Sequence, residues 1–186
     1  MNKQTIYYFT PQGSESWGES MNRHCAIVPN DEDWICMVEA DCMMFPAKWA
    51  EEVEWAVASH PEVDVFTAYA TRTKRKSEAM YDAERMGERD LVRLYDTAME
   101  CWDKNRGRIR IRQQSPAGFF YVFRKKLWME VPFASRGGDG QMNLHMDILW
   151  GKALRSAGKT IANIEALCCV HFYRLNDPDM SDEHLR

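Results

Sequence analysis

No C-x-x-C pair occurs in this chain, although it holds six cysteines: Cys25, Cys36, Cys42, Cys101, Cys168 and Cys169. The spacing of a zinc ribbon or a thioredoxin-like redox site is therefore missing. No apolar run approaches the ~20 residues that a membrane-crossing helix needs. No stretch has the charged, apolar and small-residue order of a signal peptide. The expectation is a reduced, cytoplasmic setting with no membrane span, the cysteines in apolar runs acting as small hydrophobes. A strong charge of one sign is absent too, since 24 Lys and Arg against 28 Asp and Glu leave −4. The molecule as a whole is no polyanion binder, and a nucleic-acid contact would need a local basic patch. Internal repeats and low-complexity tracts are also missing. What remains is ordinary for one globular domain with a real core: 186 residues, 45% hydrophobic and 28% charged.

The most informative stretch is Asp33 to Pro46. Its front half, Trp34 to Val38, is unbroken and apolar, as suits a strand buried on both faces, as in the parallel sheet of an α/β fold with helices above and below. The run stops at Glu39-Ala40-Asp41. On an extended backbone two acids spaced two apart point the same way. At the carboxyl end of a buried strand, where open α/β sheets bind ligands, they are costly unless something receives their charge. One reading is a metal site, with Mg²⁺ or Mn²⁺ on one or both carboxylates and a substrate diphosphate on the ion. The other is a strand that ends in a polar loop with both acids solvated.

Periodicity and punctuation predict the remaining elements. Strands are expected over Thr5 to Phe9, Val63 to Tyr69 and Phe119 to Phe123, with two final ones over Thr160 to Ile164 and Cys168 to Phe172. Helices are expected over Trp17 to Val28, Ala47 to Ala58, Arg124 to Trp128 and Met142 to Ala157, the last closed by Gly158. Residues 71–114 differ in composition and read as a basic, largely helical excursion within a single domain. The excursion opens with Arg72, Lys74, Arg75 and Lys76. A helical stretch from Ser77 to Asp103 follows, which unbroken would be about 40 Å long, so a break at Gly87 is expected. Then Arg106, Arg108, Arg110 and Arg112 alternate with Gly107, Ile109 and Ile111 at the period of a strand. These cations support a second functional class, a nucleic-acid-binding module; solvated faces and protection of a strand edge explain such runs equally well.

The order of these features resembles a glycosyltransferase of the GT-A fold. It is most similar to small relatives of glycosyltransferase family 2, including ones from phages and gut bacteria. The residues that carry the resemblance are Gly18-Glu19-Ser20-Met21-Asn22, Asp33-Trp34-Ile35, Glu39-Ala40-Asp41, Gly118-Phe119-Phe120, Asp147 with Gly158, and His171-Phe172-Tyr173-Arg174. They cover most of the chain outside residues 71–114. Two positions depart from the family pattern: Glu39 stands where family members usually have Asp, and Met146 where Glu is frequent.

The resemblance implies a GT-A, Rossmann-like sheet flanked by helices. It also implies an inverting, metal-dependent transfer of a sugar from a nucleotide-sugar, a UDP-sugar being favoured, to an acceptor hydroxyl on a glycan or a modified nucleic acid. For a phage-encoded enzyme the setting would be the host cytoplasm. Asp41, Glu39 and His171 would hold the ion, the imidazole tilting the choice toward Mn²⁺. Asp147 would be the general base, with Asp139 on the Gly-rich loop as its fallback. Thr10, Pro11, Gly18, Asn22, Arg23, Glu39 and Arg174 would line the donor side. Read without the family, His171 is a strand-end histidine satisfied by a neighbour, and Asp147 a first-turn helix acid favoured by the dipole. Thr10 to Asn22 then form an ordinary loop-to-helix start capped by Ser14 or Ser16. Metal-dependent nucleotidyl transfer on a similar sheet is a further alternative.

Overall fold

The computed structural model describes residues 4–11, 16–71, 88, 90–135 and 146–172. Strands are β1 (Ile6–Phe9), β2 (Trp34–Val38), β3 (Cys42–Phe45), β4 (Val65–Ala70), β5 (Ile109–Arg112), β6 (Phe120–Arg124) and β7 (Ile161–His171). Helices are α1 (Trp17–Ala26), α2 (Trp49–Ser59), α3 (Leu91–Asn105), α4 (Lys125–Glu130) and α5 (Met146–Ser156). The protein is thus mixed α/β. Among the described residues no helix is long and apolar enough to cross a membrane.

The chain divides into two compact units. One comprises Met1–Ala40, His60–Thr67 and Ile111–Ala162; the other comprises Asp41–Ser59, Ala68–Arg110 and Asn163–Arg186.

In the first unit the strand order is β1-β2-β6-β4. β1 and β2 are parallel, while β6 runs antiparallel to both β2 and β4. The sheet is therefore mixed, where the apolar run of β2 had suggested parallel neighbours. α1, α4 and α5 pack their apolar residues on β2 and β6: Met21, Cys25, Leu127, Trp150 and Leu154 meet Ile35, Met37, Tyr121 and Phe123. The rings of Tyr121, Phe123, Phe133 and Trp150 lie with centroids 4.4–6.1 Å apart. Trp150 satisfies its buried Nε1–H on Val131 O at 2.8 Å, as a buried indole must.

α1 starts where Ser16 Oγ accepts from the Glu19 N–H at 3.3 Å, the Ser-x-x-Glu signature of a helix start. Gly18 lies where a Cβ would stand only 2.0 Å from Ala134 O. Only glycine lets the helix approach that backbone so closely. Asp33 is buried at the entry to β2, where its carboxylate accepts from Thr5 N at 3.1 Å and Asn30 Nδ2 at 3.0 Å. Gly158, at φ +68°, ends α5 as expected.

In the second unit β7 is the spine. It lies beside β4, takes β3 along its last four residues in antiparallel register, and also pairs with β5. It is a single strand of eleven residues, not the two strands expected. Glu165 interrupts its apolar pattern without breaking the ladder, because Arg110 Nε at 2.8 Å and the Tyr69 hydroxyl at 3.4 Å receive the carboxylate. The buried Glu52 of α2 likewise accepts from Gly107 N at 3.3 Å and Arg106 Nε at 3.5 Å. α3 is capped by Asp90 Oδ1, which accepts from Val92 N at 2.8 Å. Tyr95 of α3 meets Phe45 of β3 edge to face, with centroids 5.1 Å apart.

The arginines read as a basic stripe are largely engaged. Arg106 faces Glu52 and covers the Trp102 ring, Arg110 pairs with Glu165, and Arg112 is buried, while Ile111 is exposed. Arg72, Lys74, Arg75, Lys76 and the expected break at Gly87 lie outside the described residues.

Candidate functional site

Glu39 follows the last residue of β2, and Ala40 and Asp41 form the turn into β3, so the two acids do not sit on one continuous strand. β3 then returns along β7, with Cys42 opposite His171 in the ladder. The Phe172 N–H donates to Asp41 O at 2.8 Å, so the β3–β7 pairing extends one step beyond the strand ends. That register brings Asp41 and His171 together: His171 Nε2 lies 3.3 Å from Asp41 Oδ2. The imidazole is 13% exposed and the carboxylate 45%, so one face of the pair is open to a ligand. The hydrogen bond from His171 holds the Asp41 carboxyl below the usual carboxylate range, against a weaker upward pull from partial burial. The backbone N–H of His171 is fixed by Thr71 Oγ1 at 3.4 Å.

Cys42 completes the group. Its Sγ is 3.9 Å from Asp41 Oδ1, and one ligand atom from each of Asp41, Cys42 and His171 lies within 4.8 Å of the others. A carboxylate, an imidazole and a thiol at this separation are a donor set that fits a divalent cation. Glu39 is separated from Asp41 by Ala40 alone in the sequence. The sequence reading missed Cys42. Its place directly after Asp41 was the available signal, masked by treating cysteine as an apolar filler.

Around Gly118, in the turn before β6, a second set of polar groups converges within the first unit. A Cβ at residue 118 would stand 3.7 Å from Asp147 Cβ, 3.8 Å from the Tyr121 hydroxyl and 3.9 Å from Glu39 Oε1. The missing side chain thus leaves a space bordered by two acids and a phenol. Asp147 sits half-buried in the first turn of α5, and its Oδ1 accepts from the Ile148 N–H at 2.7 Å. The Glu39 N–H donates to Phe119 O at 2.9 Å, tying the end of β2 to this turn.

The residues expected on the donor side are placed less uniformly. Thr10 is exposed at the carboxyl end of β1, Pro11 is buried, and Arg23 is exposed on α1. Gly18 packs on Ala134. Asn22 is engaged in the fold: its Oδ1 accepts from Trp128 Nε1 at 2.7 Å and Phe133 N at 3.1 Å, and its Nδ2 donates to Phe133 O at 2.8 Å. Asp139 and Arg174 lie outside the described residues.

No protein-family model and no curated protein matches this chain.

Proposed function

We propose that this protein is a metal-dependent glycosyltransferase of GT-A type that moves a sugar from a nucleotide-sugar, a UDP-sugar by preference, to an acceptor hydroxyl with inversion. The observation that carries this reading is the 3.3 Å approach of His171 Nε2 to Asp41 Oδ2 across the β3–β7 ladder. It joins an acid at the end of the central strand to a histidine some 130 residues later. Asp41 and His171 would hold the cation, Glu39 being the acid two positions before Asp41 in the sequence. When bound, a divalent cation would supply the positive charge that neutralises the diphosphate leaving the sugar.

The chain's own residues supply the rest. Asp147 takes the proton of the attacking hydroxyl through the carboxylate oxygen that does not accept from Ile148 N. Gly118 keeps the space beside that carboxylate open. Thr10 and Arg23, exposed at the end of β1 and on α1, face the nucleotide. Asn22 acts through the fold, by holding residues 128–133. The nucleic-acid alternative gains no support from Arg106 and Arg110, whose charges are already met by Glu52 and Glu165.

A thermal-shift screen of UDP-, GDP-, CDP- and dTDP-sugars, with and without Mn²⁺ or Mg²⁺, tests the reading. A donor at about 100 times its Kd stabilises the fold by about 2.7 kcal/mol, a melting shift of about 5–11 °C for a chain of this size. Asp41→Ala abolishes the shift, and Asp147→Ala keeps it while losing turnover. The absence of any metal-dependent shift across the four nucleotides refutes the proposal. Release of pyrophosphate instead of a nucleoside diphosphate assigns the site to nucleotidyl transfer.

A further inference from the structure

The donor set suggested by the sequence is all oxygen and nitrogen, yet the structure adds sulfur. We infer that Cys42 is a third protein ligand of the cation held by Asp41 and His171, so that the centre selects a thiophilic divalent ion of the Zn²⁺ class over Mg²⁺. This rests on the metal-site reading above and not on the identity of the transferred group.

Three observations carry it. The first is register: Cys42 and His171 are direct partners in an antiparallel ladder, so their side chains leave the same face about 5 Å apart at Cβ. The second is distance. A tetrahedral centre with bonds of about 2.05 Å to N and O and about 2.3 Å to S places two N/O ligands about 3.3 Å apart, and S about 3.6 Å from O. Here His171 Nε2 is 3.3 Å from Asp41 Oδ2, and Cys42 Sγ is 3.9 Å from Asp41 Oδ1. The two distances run to the two oxygens of one carboxylate, and one ligand atom from each of the three residues lies within 4.8 Å of the others, a spread that rotation about the side-chain χ angles closes onto a shared ion. The third is access. Of the six cysteines Cys42 alone is not fully buried. Burial pushes the thiols of Cys25, Cys36, Cys101 and Cys168 upward, Cys101 to about 11, which keeps them protonated and inert. Cys42 therefore stands apart in sitting half-open beside a carboxylate and an imidazole.

The chemistry follows from softness. A thiolate raises affinity for Zn²⁺ and Co²⁺ far more than for Mg²⁺ or Mn²⁺. The ligating forms are the thiolate and the Nε2 lone pair, so metal binding competes with protons. Three protein ligands leave a fourth position for water or a substrate oxygen, the arrangement of reactive rather than structural centres.

Co²⁺ titration of the chelator-stripped protein tests the inference. A thiolate-bound ion gives a sulfur-to-cobalt charge-transfer band in the near ultraviolet; this band is expected in the wild type and lost in Cys42→Ser. Stoichiometric Zn²⁺ displaces the cobalt, whereas a hundredfold excess of Mg²⁺ does not. A second measurement needs no variant: alkylation of the native protein labels one thiol, and Zn²⁺ slows that labelling at least tenfold. Cobalt binding without the band, unchanged labelling under Zn²⁺, or displacement by Mg²⁺ overturns the assignment. A donor screen that fails while the band persists refutes the transferase reading alone; a missing band with a Mn²⁺-dependent donor shift refutes this inference alone.

Discussion

Replacing Asn22 by alanine separates a structural role from a ligand-binding one. The side chain makes three short hydrogen bonds to one segment, two accepted at Oδ1 from Trp128 Nε1 and Phe133 N and one donated from Nδ2 to Phe133 O, and a longer one from Nδ2 to Ser135 Oγ at 3.5 Å. Each neutral bond contributes about 0.5–1.5 kcal/mol net, so the truncation costs about 2–4 kcal/mol. Phe133 is buried against Trp150 and Phe123, and water cannot easily replace the lost partners of its N–H and C=O, which puts the cost in the upper part of that range. The melting temperature falls by about 10 °C at 2–4 °C per kcal/mol. Asn22→Asp is as damaging: it keeps Oδ1 but sets a carboxylate oxygen against Phe133 O, where the amide now donates at 2.8 Å. Urea unfolding followed by tryptophan fluorescence reads both variants, with an unchanged m-value showing that the midpoint shift is a stability change. If Asn22→Ala unfolds within about 0.5 kcal/mol of wild type, below the contribution of even one such bond, and still loses the donor-dependent thermal shift, the structural role is wrong and the side chain faces substrate.

Two further expectations concern the site. In metal-free buffer, the lowered Asp41 carboxyl stabilises the native state above the usual aspartate range of about 4, and that contribution disappears as pH falls through the lowered native value. His171→Ala removes the largest cause of the lowering, so the mutant loses stability relative to wild type above the ordinary aspartate range, and the difference fades as pH falls through the lowered native value. Wild-type Asp41 titrating at the ordinary value in a carboxyl NMR experiment would contradict this. Gly118→Ala should fold normally, because its Cβ meets neighbours only at 3.7–3.9 Å. By filling the space beside Asp147 it should reduce turnover at least tenfold; a fully active, stable variant removes Gly118 from the site.

Much of the architecture was legible where local chemistry and tertiary context agree. Trp34 to Val38 is the strand its apolar run announced, and α1 begins at a Ser-x-x-Glu start. β3 was not legible, because Cys42-Met43-Met44-Phe45 has neither alternation nor β-branched residues, and only pairing with β7 makes it a strand. β7 was split at Glu165 because the residues that satisfy that acid, Tyr69 and Arg110, are distant in sequence. The same limit applies to Asn22, whose partners lie more than a hundred positions away. Asp41 and His171 could be named from the order of motifs; Cys42 stood next to Asp41 in the sequence, and its pairing with His171 in the ladder is what draws it into the group.

β7 also acts as a ruler. Asn163, Glu165 and His171 occupy odd positions along it, whereas the even positions hold Ala162, Ile164, Ala166, Cys168 and Val170. Alternation therefore puts every polar side chain of the strand on one face. Sliding the strand by a single residue would drive a carboxylate, an amide and an imidazole into the greasy side together. Glu165, pinned by Arg110 and Tyr69, thus sets the alignment by which a histidine six residues further on finds Asp41.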